Sequence, residues 1–182
     1  MVTHRIHLPF TDSSLRSVKA GDHLLLTGTL YAARDEAHKR IDILLKEGNP
    51  LPVDFKNQVV YYVGPSPERP GRVIGSVGPT TAKRMDKYSR DMVELGVTGM
   101  IGKGERGEET KKLIKGKAIY MAALGGTGAK LAHSVVQQEI IAFEDAGMEA
   151  LRRLEVKDFP VIVIHDLQGN DAYTNLRKEF RQ

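Results

Sequence analysis

The centre of the chain reads Ser76-Val-Gly-Pro-Thr-Thr-Ala-Lys-Arg-Met-Asp86. Arg72 to Val77 are predicted to form a short strand, and the Gly78-Pro79 pair that follows is a strong turn signal. Thr80 or Thr81 is suited to cap a helix that begins at once. Four apolar residues recur at helical spacing along that helix: Met85, Tyr88, Met92 and Leu95. The stretch therefore predicts a strand, a tight turn and a helix N-terminus.

The first turn of this predicted helix carries two cations, Lys83 and Arg84. Free N–H groups and the positive end of the helix dipole attract anions there, and the planar fork of Arg84 matches a carboxylate or a phosphate. Cations at this position oppose the helix dipole, so helix stability alone does not account for them. The alternative is that Thr80 only caps the helix and Arg84 only covers surface. Taken alone, the turn favours this second interpretation.

Composition argues against several classes of protein. The 182 residues include no cysteine, which excludes disulfides and any thiolate-held zinc or iron–sulfur site built by this chain alone. No apolar run approaches the roughly 20 residues of a membrane span, and no signal peptide is evident, so a cytoplasmic protein without a membrane partner is expected. The net charge of +4 and the aromatic content of 6% argue against nucleic-acid binding and are compatible with a small anionic ligand.

Strands and helices alternate after residue 72, which predicts a largely parallel sheet with crossover helices. The first third of the chain contains more strand. The clearest predicted elements are a strand at His23–Ala32, a helix at about Asp35–Glu47, a helix after Gly128 that carries Ala129, Ala132 and Val136, and strands at Leu151–Val156 and Val161–Ile164. Residues 1–182 are therefore expected to form one α/β domain with a β-rich N-terminal flank.

Polar and cationic groups follow four of the predicted strands. They are Arg34, the turn from Thr80 to Arg84, Lys103, and the loop Gly125-Gly126-Thr127-Gly128. Ligands of open α/β sheets collect at the carboxyl ends of strands, so these groups are expected to form a receptor for a small dianion. The glycine-rich segments lack the spacings of a Walker A loop and of a dinucleotide fingerprint. A pure binding site and half of an enzyme site both remain open.

Several motifs of the chain form a specific combination. They are Leu26-Thr-Gly-Thr-Leu30, Ala33-Arg-Asp-Glu-Ala-His38, Val77-Gly-Pro-Thr-Thr-Ala-Lys-Arg-Met-Asp86, Met100-Ile-Gly-Lys-Gly104, Gly125-Gly126, Gly147-Met-Glu-Ala150 and Glu155-Val-Lys-Asp-Phe-Pro160. Together they closely resemble the class I, iron–sulfur-dependent fumarate hydratases. The similarity is to the β subunit, or the C-terminal domain of single-chain members, and it covers nearly the whole chain. L(+)-tartrate dehydratase β subunits share most of these motifs.

The resemblance implies one subunit of a hydro-lyase that interconverts fumarate and L-malate. In that family an α subunit binds a 4Fe–4S cluster through cysteines, and the β part is thought to carry the carboxylate clamps and the base. On the matching positions, Arg34, Arg84 and Lys103 would bind substrate, and Thr80 would accept the proton at carbon 3. The resemblance also implies a swivelling β/β/α domain, no metal bound by this chain, and an α2β2 assembly. An isolated β chain would be inactive and could form a homodimer.

Further candidates for lining the site are Thr81, Gly125, Gly126, Thr127 and His38, of which His38 lies one helical turn after Arg34. Family members often have Pro-Ala or Ala-Ala after the Gly-Gly pair, so Thr127-Gly128 raises an altered substrate preference as an alternative. The run Lys103-Gly-Glu-Arg106 resembles fumarases more than tartrate dehydratases, which favours fumarate. The alternatives are the β subunit of L(+)-tartrate dehydratase and a stand-alone domain that binds dicarboxylates or other anions.

Overall fold

The computed structural model describes residues 2–124 and 126–179, with side chains described as far as residue 175. Within these residues the strands are β1 (Thr3–His7), β2 (His23–Ala32), β3 (Val59–Tyr61), β4 (Gly99–Gly102), β5 (Ile119–Ala122), β6 (Val135–Ala142) and β7 (Leu151–His165). The α-helices are α1 (Asp12–Ser17), α2 (Asp35–Glu47), α3 (Ser89–Glu94), α4 (Glu108–Ile114), α5 (Gly128–Ala132) and α6 (Ala172–Glu179). Two 3₁₀ helices cover Ala82–Tyr88 and Glu144–Glu149.

All seven strands belong to one mixed sheet, in the order β1-β2-β3-β4-β5-β7-β6. The first five strands of that order are parallel, because helical crossovers carry the chain from β2 to β3, from β3 to β4 and from β4 to β5. The long strand β7 is antiparallel to β2 on one edge and to β5 and β6 on the other. The β2–β7 pairing therefore closes β2, β3, β4, β5 and β7 into a ring.

The ring is stabilised by apolar side chains on both of its faces. Alternate residues of each strand point to opposite faces, so Val59 and Tyr61 lie in one buried cluster while Val60 and Tyr62 lie in the other. The first cluster draws on all five ring strands and fills the inside of the ring. The second packs the strands against α2, α3, α4 and the 3₁₀ helix at Ala82–Tyr88. The carboxyl ends of the parallel strands are thereby held in fixed relation to the helices that follow them.

The helix α2 has the bounds that its sequence predicts. Asp35 and Glu36 occupy its first turn, where carboxylates interact favourably with the helix dipole. Gly48 ends it in the left-handed conformation, with a φ of 69°, and the cap N–H groups bond the carbonyls of Leu44 and Leu45. The strand β2 likewise runs from His23 to Ala32 as predicted. Between them these two elements place Arg34 at a strand-to-helix junction.

Four predicted elements differ from the structure. The helix expected to begin at Thr80 or Thr81 is a 3₁₀ helix over Ala82–Tyr88, which continues into α3. Residues 72–77 form no strand, because their backbone bonds go to loops: Ser66 N–H donates to Ser76 O, and Val77 N–H donates to Gly128 O. Val136 lies in β6 and not in a helix, since α5 ends at Ala132. The two predicted strands between residues 151 and 164 are one continuous strand, β7. The sheet is therefore mixed, with two antiparallel strands, and less uniformly parallel than expected.

Among the described residues, no helix is both long enough and apolar enough to span a membrane. The predicted terminal helix from Tyr173 to Gln182 corresponds to α6 as far as Glu179, and its last residues lie outside the described part of the chain.

Candidate active site at the carboxyl ends of β2 to β5

The predicted site residues lie at the carboxyl ends of four neighbouring parallel strands. Arg34 follows β2, Lys103 follows β4, and the glycine-rich loop at 125–128 follows β5. Thr80 lies beside the ends of β3 and β4, because its N–H donates to Tyr62 O at 2.8 Å and its carbonyl accepts from Lys103 N–H at 3.0 Å. Strand order thus places these groups side by side along one rim of the ring.

Arg34 is held by two carboxylates. It occupies the N-cap position of α2, and its side chain is 22% exposed. Its Nη2 lies 3.4 Å from Glu149 Oε1, and its Nε lies 3.5 Å from Asp35 Oδ2. Glu149 also accepts a 2.9 Å bond from the Glu36 N–H, so one carboxylate joins the arginine to the start of α2. The guanidinium is therefore fixed at the rim by charge on both sides.

Arg84 reaches the same carboxylate from the 3₁₀ helix at Ala82–Tyr88. Its Nη2 lies 3.3 Å from Asp35 Oδ2, so that oxygen has a guanidinium from each of two different elements around it. Asp35 Oδ2 is buried and, among the described residues, makes ion pairs but no hydrogen bond of good geometry. The side chain of Arg84 is 49% exposed. The two arginines therefore converge on a carboxylate and remain partly open to solvent.

Thr80 and Lys103 are joined through the backbone. Thr80 Oγ1 donates to Tyr62 O at 2.9 Å, and Ala82 N–H donates to Lys103 O at 2.9 Å. Thr80 is half-buried. It does not cap the following helix, although the sequence offered Thr80 or Thr81 as the cap. The Lys103 side chain is exposed and lines a groove of about 610 Å³ together with Leu124 and Tyr173. Within the described residues Lys103 makes no ion pair, so its charge is available to a ligand.

Apart from His38, the remaining candidate site residues are Thr81, beside Lys103, and members of the glycine-rich loop that follows β5. Thr81 is exposed, occupies the N-cap position without a side-chain cap bond, and pairs through its backbone with Lys103. Thr127 Oγ1 donates to Leu124 O at 2.6 Å, and Gly126 has a positive φ of 78°. Gly125 lies outside the described residues. The loop meets the turn before Thr80 at Gly128, since a Cβ there would lie 2.6 Å from Gly78 N.

His38 lies beneath the rim. It is 1% exposed, its Nδ1 donates to Arg34 O at 2.9 Å, and its ring stacks on Tyr88 with centroids 5.5 Å apart. Burial lowers the pKa of His38 to about 4, so the imidazole is neutral at ordinary pH. Its Nε2 has no hydrogen-bond partner among the described residues. The histidine supports the backbone of Arg34 and is not exposed to a ligand at the rim.

Sequence reasoning missed the acidic and buried members of the site. The sequence placed Asp35 only at the start of a helix and within a family motif, Glu149 lies far away in sequence, and Arg106 entered only through the resemblance of the run Lys103-Gly-Glu-Arg106 to fumarases. Arg106 is 2% exposed and donates from Nε to Asp86 Oδ1 at 2.6 Å. The signal available in the sequence is an arginine between glycines in a loop, which suits a buried anchoring side chain. The sequence alone does not identify the residues that such an arginine would contact.

The chemistry of the available donors bears on a metal cofactor. The described residues contain no group of three or more His, Asp or Glu side chains arranged to hold a metal ion. The complete sequence has no cysteine, so this chain has no thiolate ligand for an iron–sulfur cluster. What the rim offers is guanidinium, ammonium, hydroxyl and backbone N–H groups. This set binds anions, and it does not fit an iron–sulfur cluster.

The chain is an α/β protein whose mixed sheet carries cations at the carboxyl ends of its parallel strands, where ligands of such proteins commonly bind. The family described as "Fumarase C-terminus" matches residues 2–176. The chain therefore belongs to the fumarase C-terminal family.

Relatives with assigned names are similar over most of this chain. Fumarate hydratase 1, mitochondrial, of Leishmania major is 41% identical over 84% of the chain, and the anaerobic class I fumarate hydratase of Escherichia coli K12 is 36% identical over 90% of it. The chain spans only 28% and 30% of the lengths of these two proteins. A putative L(+)-tartrate dehydratase subunit beta of Methanocaldococcus jannaschii is 36% identical, and 90% of its length is matched.

Proposed function

We propose that this chain is the β subunit of a hydro-lyase that interconverts fumarate and L-malate, and that it supplies the groups that bind the substrate's carboxylates. The observation that carries the proposal is the convergence of Arg34 and Arg84 on Asp35 Oδ2, at 3.5 and 3.3 Å. Two guanidinium groups arranged around one carboxylate oxygen form a receptor for such a group. A dicarboxylate has a second carboxylate, for which Lys103, without an ion pair in the described part of the chain, is the proposed partner.

Thr80 is the proposed proton acceptor at carbon 3. Its hydroxyl is positioned by the bond to Tyr62 O and lies between the ends of β3 and β4. A neutral hydroxyl is a weak base, so its own proton must first pass to another base, for which a carboxylate of the partner subunit is proposed, while a nearby cation stabilises the resulting oxygen. Lys103, whose backbone N–H donates to the carbonyl of Thr80, is the proposed source of that stabilisation.

The second half of the site is proposed to come from an α subunit. A 4Fe–4S cluster in this family would supply a Lewis acid for the leaving hydroxyl, and the cysteine-free chain requires that any such cluster be held elsewhere. One relative, matched over 90% of its length, is named as a subunit beta, which supports a partner that carries the rest of the site. We therefore propose a cytoplasmic α2β2 assembly in which the single domain of residues 1–182 acts as a swivelling unit and is inactive alone.

The second candidate is the β subunit of L(+)-tartrate dehydratase. The observation in its favour is the same nearly full-length match to the M. jannaschii protein. Tartrate carries an additional hydroxyl, so discrimination would depend on polar groups near the reacting carbons. Thr127 is a suitable group to examine, because its hydroxyl lies on the loop that contacts the turn before Thr80.

Coexpression with the cognate α subunit tests both candidates. The purified complex is assayed anaerobically with L-malate and with L(+)-tartrate, and each subunit is assayed alone. The proposal predicts malate dehydration by the complex and none by the isolated chain. Turnover of tartrate alone would select the second candidate. Tight binding of malate by the isolated chain, without activity in any complex, would instead identify a stand-alone binding domain.

A further inference from the structure

Arg106 is a buried cation with a complete set of partners. Its side chain is 0% exposed. Nε donates to Asp86 Oδ1 at 2.6 Å, Nη2 donates to Ser89 Oγ at 2.5 Å, and Nη1 donates to the Tyr62 hydroxyl at 3.3 Å. Its Cζ also lies 5.2 Å from the centroid of the Tyr120 ring. A charge removed from water is retained only where paired charge and hydrogen bonds replace hydration, and here every nitrogen of the guanidinium is engaged.

The Arg106–Asp86 pair connects the two segments that carry Lys103 and Arg84. Asp86 belongs to the 3₁₀ helix of Arg84, and Arg106 belongs to the loop that begins at Lys103. The second oxygen, Asp86 Oδ2, accepts the N–H of Gly107 at 2.7 Å, so one carboxylate holds both the side chain and the backbone of the loop. The proposed substrate cations therefore lie on the two segments that one ion pair joins.

Arg106 also contacts a row of rings that leads to the other site residues. Its Cζ lies 5.4 Å from the centroid of the Tyr62 ring, and the carbonyl of Tyr62 accepts both the N–H and the hydroxyl of Thr80. The Tyr62 ring lies 5.6 Å from that of His38, which donates to the carbonyl of Arg34. Arg106, Tyr62 and His38 thus form a buried row beneath Thr80 and Arg34 at the rim.

We propose that Arg106 is a positioning residue that sets Lys103 and Arg84 at a fixed separation. It does not touch the proposed substrate, because its side chain is fully buried. Its planar fork engages three partners at once, and the single ammonium of a lysine does not reproduce that geometry. The activity readout rests on the proposed function, whereas the structural readout below does not.

Amide hydrogen exchange on the chain itself tests the structural part. Arg106→Lys is expected to accelerate exchange at Ala82, Lys103 and Gly107, whose N–H groups are bonded across the two segments. Exchange in α2 is expected to stay unchanged. The milder variant Ser89→Ala, which removes one partner of Arg106, should accelerate the same amides by a smaller factor. Arg90→Lys is the matched control, because Arg90 is an exposed arginine of the adjoining helix. Unchanged exchange at the three amides in both variants would overturn the proposal.

Kinetics of the αβ complex test the consequence for the ligand. Arg106→Lys is expected to raise KM for the dicarboxylate about tenfold or more, because misplaced cations bind both carboxylates less well. Asp86→Asn should give a similar increase, and the double variant should be less than multiplicative, since both changes break one pair. A fall in kcat with unchanged KM would overturn the positioning role. A wild-type complex without hydro-lyase activity would refute the proposed function alone, because the exchange experiment still decides the role of Arg106.

Discussion

Arg34 and Arg84 meet at one carboxylate oxygen, although they lie on different helices. Arg34 Nε is 3.5 Å and Arg84 Nη2 is 3.3 Å from Asp35 Oδ2. Asp35 stands in the first turn of α2, where the helix dipole favours its negative charge. Asp35 therefore offsets the repulsion between two like charges at the rim. Of the two proposed substrate-binding arginines, Arg84 is the more exposed, with 49% of its side chain accessible against 22% for Arg34.

The half-exposed arginine is the simplest test of this arrangement. Arg84→Ala removes a charge-assisted contact worth about 1.5–3 kcal/mol, so kcat/KM of the αβ complex is expected to fall roughly 10- to 100-fold. The free energy of unfolding should change by no more than about 0.5 kcal/mol, because exposed ion pairs contribute little to stability. Steady-state kinetics and urea unfolding measure the two quantities. Arg90→Ala, an exposed arginine of α3, serves as control. Near-normal turnover by Arg84→Ala would refute its assignment.

Thr80 is predicted to affect turnover more than binding. Thr80→Val keeps the side-chain shape but removes the hydroxyl, so kcat is expected to fall by about 100-fold or more with little change in KM, as for the loss of a general base. Thr80→Ser keeps the hydroxyl and should retain much of the activity. Thr98→Val is the matched control. The Thr98 hydroxyl also donates to a backbone carbonyl, but Thr98 precedes the amino end of β4, away from the rim. A Thr80→Val enzyme with normal kcat would exclude this residue as the proton acceptor.

The sequence predicts those elements whose signals are local. β2 and α2 have the expected bounds because their periodicity, acidic first turn and terminal glycine all lie within the segment itself. Residues 72–77 have the composition of a strand but do not form one. No neighbouring strand within the described residues pairs with them, and their backbone groups form hydrogen bonds to loops instead. The structure of β6 depends on pairing with β7, a segment that follows it in the chain. Local pattern gives no information on such partners.

The members of the candidate site likewise differ in whether a local sequence signal predicts them. Arg34 and Lys103 were predicted because each follows a strand, and parallel strand ends lie together. Thr80 was expected to follow a strand at 72–77 that the structure does not contain, and it lies at the rim through backbone bonds to Tyr62 and Lys103. Glu149, which contacts Arg34, was missed because it lies on a 3₁₀ helix that packs against α2 from more than a hundred residues later in the chain; its bond to Glu36 spans 113 positions. Arg106 was missed because its burial depends on rings from separate strands.

The loop at Gly128 packs closely against the turn at Gly78, and alanine substitution is predicted to destabilise the protein at Gly128 but not at Gly78. A Cβ at Gly128 would lie 2.3 Å from Ser76 Oγ and 2.6 Å from Gly78 N, so Gly128→Ala forces the loop and the turn apart. Overpacking of this kind costs about 1–3 kcal/mol, and the Tm is expected to fall by roughly 2–10 °C. Gly78→Ala is the control, since its Cβ would meet only Gly128 Cα at an ordinary 3.7 Å. Equal Tm values for the two variants in a thermal melt would contradict this packing.

The buried neutral His38 predicts a pH dependence of stability. The folded chain keeps the pKa of His38 at about 4, whereas the ordinary pKa of a histidine is 6.5, so the unfolded state binds more protons between these two pH values. Stability therefore rises with pH across that window, and about 3 kcal/mol from this residue is lost as the pH falls from 6.5 to 4. The free energy of unfolding in urea at pH 7, 5.5 and 4 measures it.

A variant without the imidazole separates this contribution from that of the carboxylates. His38→Phe keeps an aromatic ring between Tyr62 and Tyr88 but cannot take up a proton, so its stability should depend less steeply on pH than that of the wild type between 6.5 and 4. Tyr88→Phe is the matched control, because it alters the same stack and leaves His38 in place. Its pH dependence should follow the wild type. Parallel curves for the wild type and His38→Phe would mean that His38 is not held neutral by burial, and would remove the buried histidine as the support beneath Arg34.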